Sequence, residues 1–148
     1  MNNAGAYKKY LPVAEAFAAM SPYKGTKVGA LVLGPGFEVR SSGWNGAPRK
    51  CAADTDERSA ERDERLRWVM HAEANAIANA ARSGVSVHGC VLVVTHTPCL
   101  SCAGLIVQSG ITAVLAPPPP QAFASAWGED LQRSAWLFAE CGVHYQEI

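Results

Sequence analysis

The chain has 148 residues, with 13 Lys+Arg balanced by 13 Asp+Glu, 49% hydrophobic residues and 18% charged ones. A chain of this size hides roughly 70% of its unfolded surface, so one domain spanning residues 1–148 is expected. Zero net charge disfavours a groove for long nucleic acid, which is held by neutralising many phosphates, and fits a small-molecule ligand.

No apolar run approaches the ~20 residues of a bilayer span, so no membrane partner is expected. The opening Met-Asn-Asn-Ala-Gly-Ala-Tyr-Lys-Lys lacks the apolar stretch of a secretory signal. The five cysteines, at 51, 90, 99, 102 and 141, are therefore read as cytoplasmic thiols or metal ligands and not as disulfides.

Tyr10, Val13, Ala14 and Phe17 recur at helical spacing and predict a helix over 7–20. The apolar run 28–33 predicts a strand. Gly34-Pro35-Gly36 turns the chain into a second strand over 38–42, and Gly43-Trp44-Asn45-Gly46-Ala47-Pro48 reads as a loop. Residues 54–67 mix six acids with four arginines, the pattern of a solvated loop or helix face.

An alanine-rich helix is predicted over 68–83, with Gly84 as its stop. The continuous apolar stretch 91–95 suits a central strand. A short helix over 99–109 follows, then a strand over 111–116, which Pro117–Pro120 must end because proline cannot donate to a ladder. Phe123, Trp127, Leu131, Ala135 and Phe138 step along a last long helix, before a strand over 143–147. Strands alternating with helices predict an α/β/α domain of three layers around a mixed sheet of about five strands.

Two motifs carry chemistry. His71-Ala72-Glu73 opens one predicted helix, and Pro98-Cys99-Leu100-Ser101-Cys102 opens the next. A Cys-x-x-Cys pair alone is compatible with a redox site or half of a metal site. A dithiol oxidoreductase has no use for His-x-Glu, and a closed four-cysteine zinc site would need a second close pair. One imidazole and two thiolates make three ligands for Zn²⁺ and leave the fourth tetrahedral position for water, as in catalytic sites. Glu73, about 160° of arc from His71 in a regular helix, is badly placed as a fourth ligand but suits general acid/base work. Cys51, Cys90 and Cys141 read as small core or loop thiols, and His88 and His144 as surface or structural histidines.

His-x-Glu followed by Pro-Cys-x-x-Cys is the signature of zinc-dependent nucleobase deaminases. With Trp44-Asn45-Gly46 upstream and Thr95-His96-Thr97-Pro98 downstream, the chain resembles the deoxycytidylate (dCMP) deaminase family. The resemblance implies a cytidine-deaminase-like fold and one catalytic zinc per subunit, held by His71, Cys99 and Cys102. It implies proton shuttling by Glu73 during hydrolysis of a cytosine-containing nucleotide, dCMP to dUMP, with loss of ammonia. Sugar contact at Asn45 and base contact at the Ala72 backbone follow from the same resemblance, with further substrate contacts at Trp44, Thr97 and Pro98.

Lys24 and Lys27 stand where many relatives have a phosphate-binding arginine. A homo-oligomer is implied as well. The alternatives are a modified pyrimidine nucleotide, a nucleoside or a free base as substrate, and a zinc-stabilised binding module that keeps the fold without the activity.

Overall fold

The computed structural model describes residues 4–51 and 56–148. The first helix opens as a 3₁₀ turn over Ala4–Tyr10 and becomes α1 at Leu11–Ala19. Pro12 sits in the first turn of α1, where a missing N–H costs no helical hydrogen bond. β1 (Gly29–Leu33) is buried along its whole length and pairs antiparallel with β2 (Val39–Trp44). The hairpin closes through Gly34, whose N–H bonds Glu38 O at 2.9 Å.

The acidic and basic run holds two short helices, α2 (Asp56–Ser59) and α3 (Arg62–Trp68). Beyond it come α4 (Ala72–Ser83), β3 (Val91–Val94), α5 (Leu100–Gln108), β4 (Ala113–Ala116), α6 (Gln121–Glu140) and β5 (His144–Glu147). The strands form one sheet in the order β2-β1-β3-β4-β5, antiparallel from β2 to β3 and parallel from β3 to β5. The expected mixed five-stranded sheet, with its central strand at β3, is therefore present.

Strand alternation divides the core. Ala30, Val32, Leu92, Val94, Val114 and Ala116 face Ala72, Ala76 and Ala80 of α4, Ile106 of α5 and Phe138 of α6. Leu31, Leu33, Val91, Val93 and Leu115 face the other way, against Tyr7 and Ala14. Helices thus cover both faces, and the three layers follow from the period of two along each strand.

The helix expected over 68–83 is corrected at its start. Trp68 closes α3, and α4 begins only at Ala72. Between them Met70 and Gly46 exchange both backbone hydrogen bonds, at 3.0 and 2.8 Å, which pulls the chain into an extended link. That pairing lies between residues far apart in sequence, so local periodicity ran through it.

Close approach of α4 to the edge strand β2 depends on Gly43. A Cβ there would lie 2.5 Å from Ala76 N and 2.6 Å from Ala72 O. Polar side chains complete the contact. Asn75 Nδ2 donates to Trp44 O and Asn79 Nδ2 to Ser42 O, both at 2.8 Å, while Ser41 Oγ donates to Ala76 O at 2.6 Å. An edge strand has alternate carbonyls without ladder partners, and the two asparagines, one turn apart on α4, supply those donors.

Candidate metal centre and active site

His71 and Cys99 are the N-cap residues of α4 and α5, both in extended backbone, and Cys102 lies in the first turn of α5. The two helix N-termini converge, so the positive ends of their dipoles favour negative charge between them. His71 Nδ1 lies 3.5 Å from Cys99 Sγ and 3.4 Å from Cys102 Sγ. In a tetrahedral zinc site with Zn–S near 2.3 Å and Zn–N near 2.05 Å, the N···S edge is roughly 3.6 Å. The three donor atoms are all within 4.8 Å of one another, so the set fits zinc without rearrangement. Among the described residues, Cys51, Cys90 and Cys141 take no part in such a cluster.

Electrostatics at the cluster follow from burial and from the hydrogen bonds between its members. The Cys99 thiol is held down to about 4, chiefly by a hydrogen bond from Cys102, with His71 lowering it further against the effect of burial. Cys102 is pushed up by the same bond and by desolvation. His71 is raised, mainly by its hydrogen bond with Cys99 and also by the charge of Glu73. Metal binding reverses this sharing of protons, because both sulfurs then bind as thiolates.

Glu73 is 4% exposed, and burial pushes its carboxyl up to about 7 against the opposing effects of its own backbone N–H and His71. A carboxyl titrating there can both take and return a proton near neutral pH.

The cluster and Glu73 lie at a cavity of about 520 Å³, within the usual range for small-molecule sites. Asn45, Ala72 and Thr97 line it. Asn45 is nearly buried, its Oδ1 accepting from Val28 N and its Nδ2 donating to Thr26 O, each at 2.8 Å. Thr97 Oγ1 shares a 3.1 Å hydrogen bond with Tyr145 OH. His96 meets Phe123 edge-on at 5.7 Å, and Phe123 stacks on Trp127 at 6.1 Å, so these rings form one aromatic wall. Burial lowers the pKa of His96 and favours the neutral imidazole.

The remaining expected contacts lie elsewhere. Lys24 and Lys27 are exposed and do not line the cavity; Trp44 stacks on Phe17, and Pro98 is fully buried. Cations on the cavity wall come from α3 instead, as Arg62 and Arg65, with Leu66 and Val69 beside them. The charge run is thus solvated on one side and faces the cavity on the other. Its signal was present in the sequence, since positions 62, 65, 66 and 69 follow the i, i+3, i+4, i+7 spacing of one helix face.

A buried carboxyl beside a His/Cys/Cys cluster, set at the helix N-termini of an α/β/α sheet, defines a zinc-dependent nucleobase deaminase. The family profile described as the cytidine and deoxycytidylate deaminase zinc-binding region matches residues 5–116, and the chain belongs to that family. A relative described as an uncharacterized deaminase in the luxG 3′ region of Aliivibrio fischeri is 38% identical over 138 residues, covering 92% of this chain and 88% of that one. Human deoxycytidylate deaminase is 36% identical over 110 residues, covering 72% of this chain, which spans only 61% of the human protein. The crystal structure of dCMP deaminase from cyanophage S-TIM5, in complex with dCMP and dUMP, matches all of both chains with a TM-score of 0.77 at 26% identity.

Proposed function

We propose that this protein hydrolyses dCMP to dUMP and ammonia. The observation that carries the reading is the buried Glu73 carboxyl, set beside His71, Cys99 and Cys102 at a cavity of about 520 Å³. Support comes from the cyanophage relative, which holds dCMP and dUMP.

His71, Cys99 and Cys102 would hold a zinc ion, which would supply Lewis-acid activation of the attacking water. Glu73 takes a proton from that water and gives it to N3 of the ring as C4 is attacked. It then takes the proton of the hydroxyl now on C4 and delivers it to the departing amine. The C4–N bond breaks, and a carbonyl replaces the amine as ammonia leaves.

Asn45, the Ala72 backbone and Thr97 are the polar groups offered to sugar and base, and the His96–Phe123–Trp127 wall offers an apolar face to the ring. Arg62 and Arg65 are the guanidinium groups on the cavity wall, and we assign them to the phosphate, a role for which arginine is suited by its forked donors. One domain per chain and a homo-oligomer complete the proposal.

The test is ammonia release from dCMP, CMP, deoxycytidine and cytosine by zinc-loaded protein. The expected result is turnover of dCMP with the highest kcat/KM, abolished in Glu73→Ala at unchanged zinc content. Zinc-loaded protein that deaminates none of the four refutes the proposal.

A further inference from the structure

Helix N-termini are ordinarily closed by Ser, Thr, Asp or Asn, whose side chains bond the first free N–H groups. At α5 that position is taken by Cys99, which makes no capping bond and whose sulfur faces His71 and Cys102 instead. The cap comes from another helix. Asp130 of α6 reaches across and accepts a hydrogen bond from Leu100 N, the first amide of α5, at 2.8 Å through Oδ2.

Asp130 also lies on a specific face of α6. Phe123, Trp127, Asp130, Ser134 and Phe138 follow i, i+4, i+7, i+11 and i+15 along that helix. The first two line the cavity, the third caps α5, and the last two are buried. Ser134 Oγ donates to Asp130 O at 3.0 Å, while Arg133 pairs with Glu129 on exposed surface. None of this face falls within residues 5–116, the stretch matched by the family profile.

We propose that Asp130 is a positioning residue for the metal centre: by capping α5 from α6 it holds Cys99 and Cys102 in register with the aromatic wall of the cavity. The proposal rests on the zinc reading of the cluster. Groups that orient first ligands commonly change metal affinity about 10–100-fold when removed, and a cap one residue from Cys99 belongs at the lower end, about 10-fold.

The experiment is a double-mutant cycle read without substrate. Asp130→Ala removes the acceptor. Leu100→Pro removes the donor at the first helical position, where proline is well tolerated. The protein is loaded with zinc, and release to a chromogenic chelator is timed. Cobalt-loaded protein is followed by its thiolate and d–d absorption.

The expected result is about 10-fold faster zinc release and an altered cobalt spectrum in Asp130→Ala. Asp130→Asn, which keeps an acceptor oxygen, should stay within about threefold of wild type. In the Leu100→Pro background, Asp130→Ala should add nothing further, because the bond is already gone. An equal effect of Asp130→Ala in both backgrounds overturns the proposal, as does wild-type release from Asp130→Ala. Wild-type protein that takes up no zinc overturns the functional reading together with this one, whereas normal uptake without any dependence on Asp130 overturns this one alone.

Discussion

Asn45 and Val28 are joined by a 2.8 Å hydrogen bond from the Val28 amide to Asn45 Oδ1, at the rim where β1 begins and the cavity opens. With its Nδ2 on Thr26 O, the Asn45 amide bridges the 26–28 segment to the end of β2. Asn45 is therefore a structural member of the site as well as a candidate substrate contact. Replacing it with alanine leaves both backbone groups without their partner, and each such loss costs ~1–3 kcal/mol when the group is shielded from water. Asn45→Ala should unfold at clearly lower urea concentration and raise KM for dCMP. An unchanged urea midpoint would count against the bridging role.

Gly43 sets the distance between β2 and α4, the helix that His71 opens and Glu73 belongs to. Since an added methyl meets backbone and not a flexible side chain, the helix itself must move. Gly43→Ala should destabilise the fold by about 1–3 kcal/mol, the usual range for overpacking. Zinc stoichiometry and thermal unfolding on the same samples check it, and both should fall.

The raised carboxyl of Glu73 gives a sign for pH dependence in the metal-free protein. An unfolded glutamate ionises around pH 4.5, whereas the folded one holds its proton until about 7. Stability is then highest below the unfolded value and falls as pH rises through that window, flattening above 7. A gap of this size is worth on the order of 3 kcal/mol. Glu73→Gln should abolish that part of the slope. Urea midpoints of chelated wild type and variant, at pH 5 and pH 8, provide the comparison; parallel slopes would contradict the assignment.

If α3 binds the phosphate, charge removal there should discriminate between substrates. Arg65→Gln should raise KM for dCMP about tenfold, a typical loss for a charge-assisted hydrogen bond, and leave deoxycytidine within about twofold. Lys27→Gln is the counterpart at the position expected from sequence resemblance. A larger effect at Lys27 would transfer the phosphate to the 24–27 segment.

The metal cluster was legible in the sequence because its information is local. Cys99 and Cys102 are separated by less than one helical turn, and His71 and Glu73 share a three-residue motif. The buried strands were legible for a similar reason, since β1, β3 and β4 are short apolar runs; their order in the sheet was not, because strand pairing is tertiary. Nor was the start of α4, because the Met70–Gly46 pairing is tertiary too. The cavity-facing side at Arg62 and Arg65 left only its i, i+3, i+4, i+7 spacing in the sequence, within a mixed-charge pattern that is ordinary for a solvated face. Asp130 gave no signal, since its partner is 30 positions away and is a backbone amide, which composition does not mark.

His71 and Cys99 are 28 positions apart in the chain and meet at one point. A metal bound there closes a ring containing all of α4, the crossover after it and β3. It therefore acts on the disordered chain as well as on the folded one, by removing part of the loop-closure entropy that β3 must overcome to reach its place between β1 and β4. Zinc present during refolding should thus accelerate assembly of the central strand, provided the His71 and Cys99 side chains capture the ion before the sheet forms.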